Sequence, residues 1–245
     1  DLKITFPEPL VARPERLEVR ERLYADGSLR EALDEAEVLW RKALAKDPNE
    51  PMLSYNLGLV ARRQGRLDEA ARRFRDTIRR TPAHVEARLA LASVHIDMAR
   101  FAAAERELAE FIANIDNAIQ QPEGEGLKPL QARARNMLGH TLYRMGHYSP
   151  AIEVLDMAMV DAGEDPGRRG QILGDRALAL GGLGHHDEAI AGAGQALELA
   201  PESASLNHVQ GYLLYHAGRP TDAIAPIQRA LEIDPAFTAA LKTLA

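Results

Sequence analysis

An all-α fold of stacked helix pairs is predicted by three features of this 245-residue chain. Punctuating residues return at a fixed interval, with units opening 34 residues apart at 51 and 85 and again at 170 and 204. Between these marks apolar residues recur at spacings of three and four, the period of a helix. Aromatic residues make up only 5%, which disfavours a β-sandwich or barrel and suits alanine-rich helices.

Residues 1–13, DLKITFPEPLVAR, do not read as helix, because Lys3-Ile4-Thr5-Phe6 alternates and the prolines favour extension. They read either as a loose tail or as an arm that covers a groove or edge, its own or a neighbour's. A degenerate unit follows over 14–50. Its first helix, over 14–24, is irregular. Its second, within 28–48, carries Leu33, Ala36, Trp40 and Ala43 at helical spacing, with Trp40 expected in the core. The unit 51–84 holds Leu57-Gly58, a turn glycine at Gly65, then Leu67, Ala70, Phe74 and a closing Pro82. The unit 85–116 repeats this with Leu91-Ala92, Phe101, Ala104 and Leu108. An insertion over 117–131 contains PEGEGLKP, a loop by composition, and the helix before it is expected to run on through Gln120.

The unit 132–169 carries Leu138-Gly139, Gly146, Tyr148, Ala151, Leu155 and Ala158. In it Ser149-Pro150 is read as the N-cap and first position of a helix. The unit 170–203 has Ala177, Leu180, Gly184, Ala189, Ala196 and Pro201. Gly174, Gly181, Gly182, Gly192 and Gly194 make it the least rigid by composition. The unit 204–237 has Gly211, Leu214, Gly218, Ala223, Ile227, Ala230 and Pro235, and Pro226 should bend its second helix. Residues 238–245 begin another first helix, as a cap or a truncation.

Gly58, Gly139 and Gly211 stand inside helical patterns, where glycine costs about 1 kcal/mol relative to alanine. That cost makes sense where a neighbouring helix must approach closely. Gly65, Gly146, Gly184 and Gly218 fall between the two helices of a unit, where positive φ ends the first.

This punctuation resembles the tetratricopeptide repeat, a period of about 34 residues with two antiparallel helices. The resemblance covers residues 14–245 and implies a right-handed superhelix whose first helices line a concave face. It also implies the inward positions. They are Met52, Tyr55, Asn56, Leu59, Arg62 and Arg63; Glu86, Leu89, Ala90, Ser93, Ile96 and Asp97; Arg133, Asn136, Met137, His140, Tyr143 and Arg144; Gln171, Gly174, Asp175, Leu178, Gly181 and Gly182; and Ser205, His208, Val209, Tyr212, Tyr215 and His216. From these a peptide or protein site is expected at Tyr55, Asn56, Leu59, Arg63, Asn136, His140, Tyr143, Arg144, His208, Tyr212 and Tyr215. Amides and hydroxylated rings suit an extended peptide, bonding its backbone and packing its side chains at low entropic cost. The grip on a C-terminal carboxylate known in this family is not expected. Its places hold Tyr55, Leu59, Ala90, Arg133 and Met137, of which only Arg133 is of a suitable type.

Other chemistry finds little footing. The net charge of −6 gives no nucleic-acid footprint. With no cysteine there is no disulfide, thiolate zinc site or cysteine nucleophile. No apolar run reaches the ~18 residues of a membrane span. The arginines between Arg62 and Arg80 interleave with acids and read as a solvated face, with an acidic partner or an anionic membrane as the alternative. His185-His186-Asp187 sits at a turn where side chains diverge, so no metal is expected. His84, His95 and His147 read as surface or packing residues. Nucleotide loops, nucleophile elbows and paired catalytic carboxylates are missing, so no enzyme activity and no cofactor is expected.

The reading is a protein-interaction scaffold, bacterial in character, with cytoplasmic and periplasmic location both open. Two alternatives stay beside it: the targeting segment of a larger enzyme of transferase or hydroxylase type, and a scaffold that self-assembles through the N-terminal arm or the C-terminal helix.

Overall fold

The computed structural model describes residues 28–48, 50–120, 124–235, 237, 239 and 240. The expected arm at 1–13, the first helix at 14–24 and most of 238–245 lie outside the described residues. Eleven helices and no strand occur among the described residues: α1 (Ser28–Lys46), α2 (Pro51–Arg63), α3 (Leu67–Arg80), α4 (Val85–Asp97), α5 (Phe101–Ile119), α6 (Lys128–Arg144), α7 (Tyr148–Asp161), α8 (Pro166–Gly182), α9 (His186–Leu199), α10 (Ala204–His216) and α11 (Pro220–Ile233). None is long and apolar enough to cross a membrane. They fall into two compact units, one ending at Arg80 and one beginning at Thr81.

In the first unit α2 packs on both α1 and α3. Trp40 is buried against Leu57 and Val60, as expected of a core residue. Gly58 lies under Phe74, whose ring would stand 2.6 Å from an added Cβ, so only glycine permits that approach. Several arginines of the 62–80 run are held by acids. Arg66 reaches Glu37 and Glu69, and Asp76 pairs with Arg79 and Arg80.

The second unit alternates first helices (α4, α6, α8, α10) with second helices (α5, α7, α9, α11). One turn joins the helices within a unit at each of five places. The N–H after the turn residue donates back five residues to close it: Arg66 to Ala61, Arg100 to His95, His147 to Leu142, His185 to Leu180 and Arg219 to Leu214. This motif needs a left-handed residue, and Gly65, Gly146, Gly184 and Gly218 supply it at φ 75–83°. At the fifth place the left-handed residue is Ala99, at φ 54°. Four first helices open with a side-chain cap instead. Glu50 accepts from Met52, His84 from Ala87, Asp165 from Arg168 and Ser203 from Leu206.

Three boundaries differ from the sequence reading. The second helix of the 132–169 unit begins at Tyr148 with His147 as N-cap, so Ser149 and Pro150 are its second and third residues. Proline fits there because the first-turn N–H groups have no intrahelical acceptor. The first helix of the 170–203 unit begins at Pro166, four residues early, behind the Asp165 cap. The insertion is largely helix: α5 ends at Ile119, a 3₁₀ turn spans Gly124–Leu127, and α6 starts at Lys128. The partly buried Ile119, Leu127 and Leu130 pack there against the apolar cluster that contains Ile115, which anchors the extra length. Helix α11 continues on both sides of Pro226.

The glycines of α8 take up neighbouring side chains. A Cβ on Gly174 would meet Leu206 at 2.5 Å, on Gly181 it would meet Leu213 at 2.6 Å, and on Gly182 the ring of Tyr148 at 2.5 Å. They serve close packing, which a count of glycines does not reveal.

Candidate concave binding face

Within the second unit the first helices form a continuous layer, with α4 against α6, α6 against α8 and α8 against α10. Among the described residues, the backbone of each second helix approaches only the helices adjacent to it in the chain. One side of the stack is therefore close-packed and the other splayed, which puts the first helices on the inside of the bend.

A connected row of polar and aromatic side chains crosses α6, α8 and α10. His140 on α6 holds Asp175 on α8 through Nδ1, at 3.0 Å. Tyr143, one turn on, lies near enough to Tyr212 of α10 for the two phenols to act on each other electrostatically. The Tyr143 ring lies 6.1 Å from His140 and 5.9 Å from Tyr148. On α10, Tyr212 lies 4.3 Å from His216 and 6.2 Å from His208, and His216 lies 5.4 Å from Tyr215. Phe237 meets His208 edge-on at 5.5 Å. Spacings of three and four along α6 and α10 put these residues on one side of each helix. The bare Gly182 lets the Tyr148 ring lie over α8 beside Tyr143.

The environment shows in two groups. Burial holds the Tyr143 phenol well above the ordinary tyrosine range, and Tyr212 and Tyr148 reinforce the shift. Burial likewise pushes the His208 imidazole below its ordinary value. Tyr143 is therefore a neutral phenol at physiological pH and His208 favours its neutral form.

The structure brings His140, Tyr143, His208, Tyr212 and Tyr215 together. All are partly accessible, and Tyr215 is 52% exposed. Asn136 is buried, and its Oδ1 has no hydrogen-bond partner among the described residues. Arg144 is exposed and places its guanidinium 5.0 Å from the centre of the Phe101 ring, close enough to the row for its charge to act on Tyr143. Tyr55, Asn56, Leu59 and Arg63 belong to the first unit. There Tyr55 packs on Phe74 at 5.7 Å, Asn56 and Leu59 are half-buried, and Arg63 is exposed.

Two side chains in the row, Tyr148 and Phe237, occupy no inward position of a first helix. Tyr148 opens a second helix two residues after the turn glycine, where its ring can lean across the layer. An aromatic residue two places beyond Gly146 was the available signal. Among the described residues no group of three or more His, Asp or Glu side chains is placed to hold a metal ion.

Family models described as tetratricopeptide repeat match residues 28–83 and 175–236, and a second such model matches 61–121. Among solved structures, a tetratricopeptide repeat protein from Parabacteroides merdae aligns at TM-score 0.66 and 19% identity, over 91% of this chain and 81% of that one. The thermophilic protein TTC0263 of Thermus thermophilus aligns at TM-score 0.63 and 22% identity, over 79% of this chain and 96% of that one. MamA (41-end) of Desulfovibrio magneticus RS-1 aligns at TM-score 0.52 and 17% identity, over 76% and 96%. No curated protein sequence matches the chain.

Proposed function

The chain belongs to the tetratricopeptide-repeat family, and on that premise we propose that it is a non-catalytic scaffold which holds an extended segment of another protein along the α6–α8–α10 layer. One observation carries this reading. The partly open side chains of that layer form a network of ring contacts around Tyr143 and around Tyr212, with His140 of α6 holding Asp175 of α8, so that it draws on three helices. Such a network is already ordered before a ligand arrives, so binding costs little further side-chain entropy. Tyrosine presents a flat apolar ring and a hydroxyl from a side chain with few rotors, which is why it anchors many interfaces. A short segment bound this way reaches micromolar affinity, roughly −8 kcal/mol.

The test is capture of a partner by the intact chain and by Tyr143→Ala and Tyr212→Ala, with helix content followed by circular dichroism. Loss of an anchor ring should weaken binding about tenfold or more, at roughly 1.4–2 kcal/mol each, while the helical signal persists. Unchanged capture by both folded variants would remove this face from the function.

A further inference from the structure

We propose that the outer side of α3 is a second interaction surface, independent of the α6–α8–α10 face, and that its occupant is a short run of acidic residues from another protein. Local charge points to it first. Between Arg72 and Arg80 five arginines stand against a single acid, Asp76. Ala70, Ala71, Phe74 and Thr77 bury one side of the helix, while Arg72, Arg75 and Arg79 are exposed at spacings of three and four. They form one stripe along the solvent side.

The acids near the stripe are already engaged. Asp76 accepts from Ser54 at 3.0 Å, pairs with Arg80 at 3.1 Å and also holds Arg79. Glu69 pairs with Arg41 at 2.9 Å and with Arg66. Arg72 has no ion pair among the described residues. The helix dipole favours Arg79 and Arg80, which lie in the last turn, but its effect fades beyond that turn and does not account for Arg72 or Arg75. Arg72 and Asp76 also form the shared wall of two adjoining surface clefts, closed by Glu69 and Arg73 on one side and by Arg75 and Arg79 on the other. A guanidinium is a planar fork of N–H donors that meets a carboxylate through two parallel hydrogen bonds, so these clefts suit carboxylates in both charge and shape.

The charge of the whole chain sharpens the choice. Residues 1–80 hold 17 Lys and Arg against 15 Asp and Glu, and residues 81–245 hold 13 against 21. An acidic ligand is therefore drawn to the first unit and repelled by the second. Seven residues of helix rise about 10 Å, so the stripe from Arg72 to Arg79 matches about four residues of extended chain. A protein segment fits this better than a lipid surface. Helices that lie on membranes insert apolar side chains beside their basic ones, and none of the exposed large apolar side chains among the described residues lies on α3.

Calorimetric titration of the full chain at low ionic strength tests this with a short oligoglutamate and a neutral glycine–serine peptide of the same length. Oligoglutamate should bind and the neutral peptide should not, and added salt should weaken the binding. Arg72→Gln and Arg75→Gln should each weaken it about two- to fivefold, while Arg229→Gln, which removes the same charge from the second unit, leaves it unchanged. Asp76→Asn deletes the one acid of the stripe and should tighten binding about twofold or more, a gain that loss of folding cannot produce. No oligoglutamate binding at millimolar concentration, or equal losses in Arg72→Gln, Arg75→Gln and Arg229→Gln, overturns the proposal. Two other results would overturn the acidic segment and give the stripe another occupant. Binding to vesicles of phosphatidylserine and phosphatidylcholine in equal parts, lost in Arg72→Gln and not matched by oligoglutamate, would assign it to a membrane. A dimer at low salt in light scattering, dissociated by Arg72→Glu, would assign it to a second copy of the chain.

Discussion

Ala99 holds a left-handed backbone at φ 54° in the turn between α4 and α5, where the four matching turns use glycine. For a residue with a Cβ this conformation costs roughly 1–2 kcal/mol, because Cβ crowds the following carbonyl. Arg100 still donates to the His95 carbonyl at 2.8 Å, so the turn forms in spite of the strain. Ala99→Gly should therefore stabilise the protein by about 0.5–1 kcal/mol, after the extra freedom of glycine in the unfolded chain is subtracted. A higher midpoint of thermal unfolding checks it, and a lower one refutes the strain argument. His208 gives a second prediction at this scale. Its folded imidazole titrates below the ordinary value because it is partly buried, so on acidification the unfolded chain takes up the proton first. Stability should fall as pH drops through the ordinary histidine value of about 6.5 toward the lower folded one. Between about pH 7.5 and about pH 5.5, His208→Gln should lose less melting temperature than the parent chain. An identical loss in both would show that His208 plays no part.

Helix pairs depend on single atoms at their crossings. Gly139 of α6 sits where an added Cβ would stand 2.4 Å from Leu155 Cγ, and Leu155 is fully buried. Burying such a leucine stabilises the pair by about 2 kcal/mol, and shifting it forfeits part of that. Gly139→Ala should cost about 1–2 kcal/mol net, although alanine is the better helix former. Gly194 on α9 has nothing within 4 Å of its Cβ position, so Gly194→Ala should gain up to about 1 kcal/mol. Denaturant midpoints for the two variants should move in opposite directions, and movement in the same direction would overturn the packing account. The contrast also marks how far the sequence reads. The repeat, the turn glycines and the small residues at crossings were legible, because each imposes a backbone or contact requirement that few residues meet. Ala99 was not, since alanine in a helical pattern carries no sign of a left-handed turn. The early start of α8 was hidden by the regular period, though Asp165-Pro166 spells a cap and first turn. At the face, the first-helix positions of Tyr143, Tyr212 and His140 followed from the family register. Tyr148 comes from a second helix and reaches the row only because Gly182 makes room, a tertiary fact that no single-helix pattern contains.

Backbone contacts in the unit from Thr81 reach only the next helix or the next but one, and those of α11 are with α10 alone among the described helices. In such an array stability is close to a sum of local terms, so damage at one crossing need not spread. The crossing of α10 with α11 offers a direct test. A Cβ on Gly211 would stand 2.4 Å from Ile227 Cγ1 and 3.1 Å from the Ala223 carbonyl oxygen, which is backbone and cannot swing aside. Gly211→Ala should push these two helices apart and lower the free energy of opening them by about 1–3 kcal/mol. The backbones of α6 and α7 approach neither α10 nor α11, and their local crossing at Gly139 and Leu155 is unchanged. Native-state amide exchange should therefore accelerate in α10 and α11, by about 5- to 150-fold for that range of energies, while amides in α6 and α7 keep their protection. Acceleration spread evenly over all four helices would mean that the unit opens as one cooperative body. The binding row would then fail together with its end, because Tyr143 on α6 and Tyr212 on α10 would part in the same event.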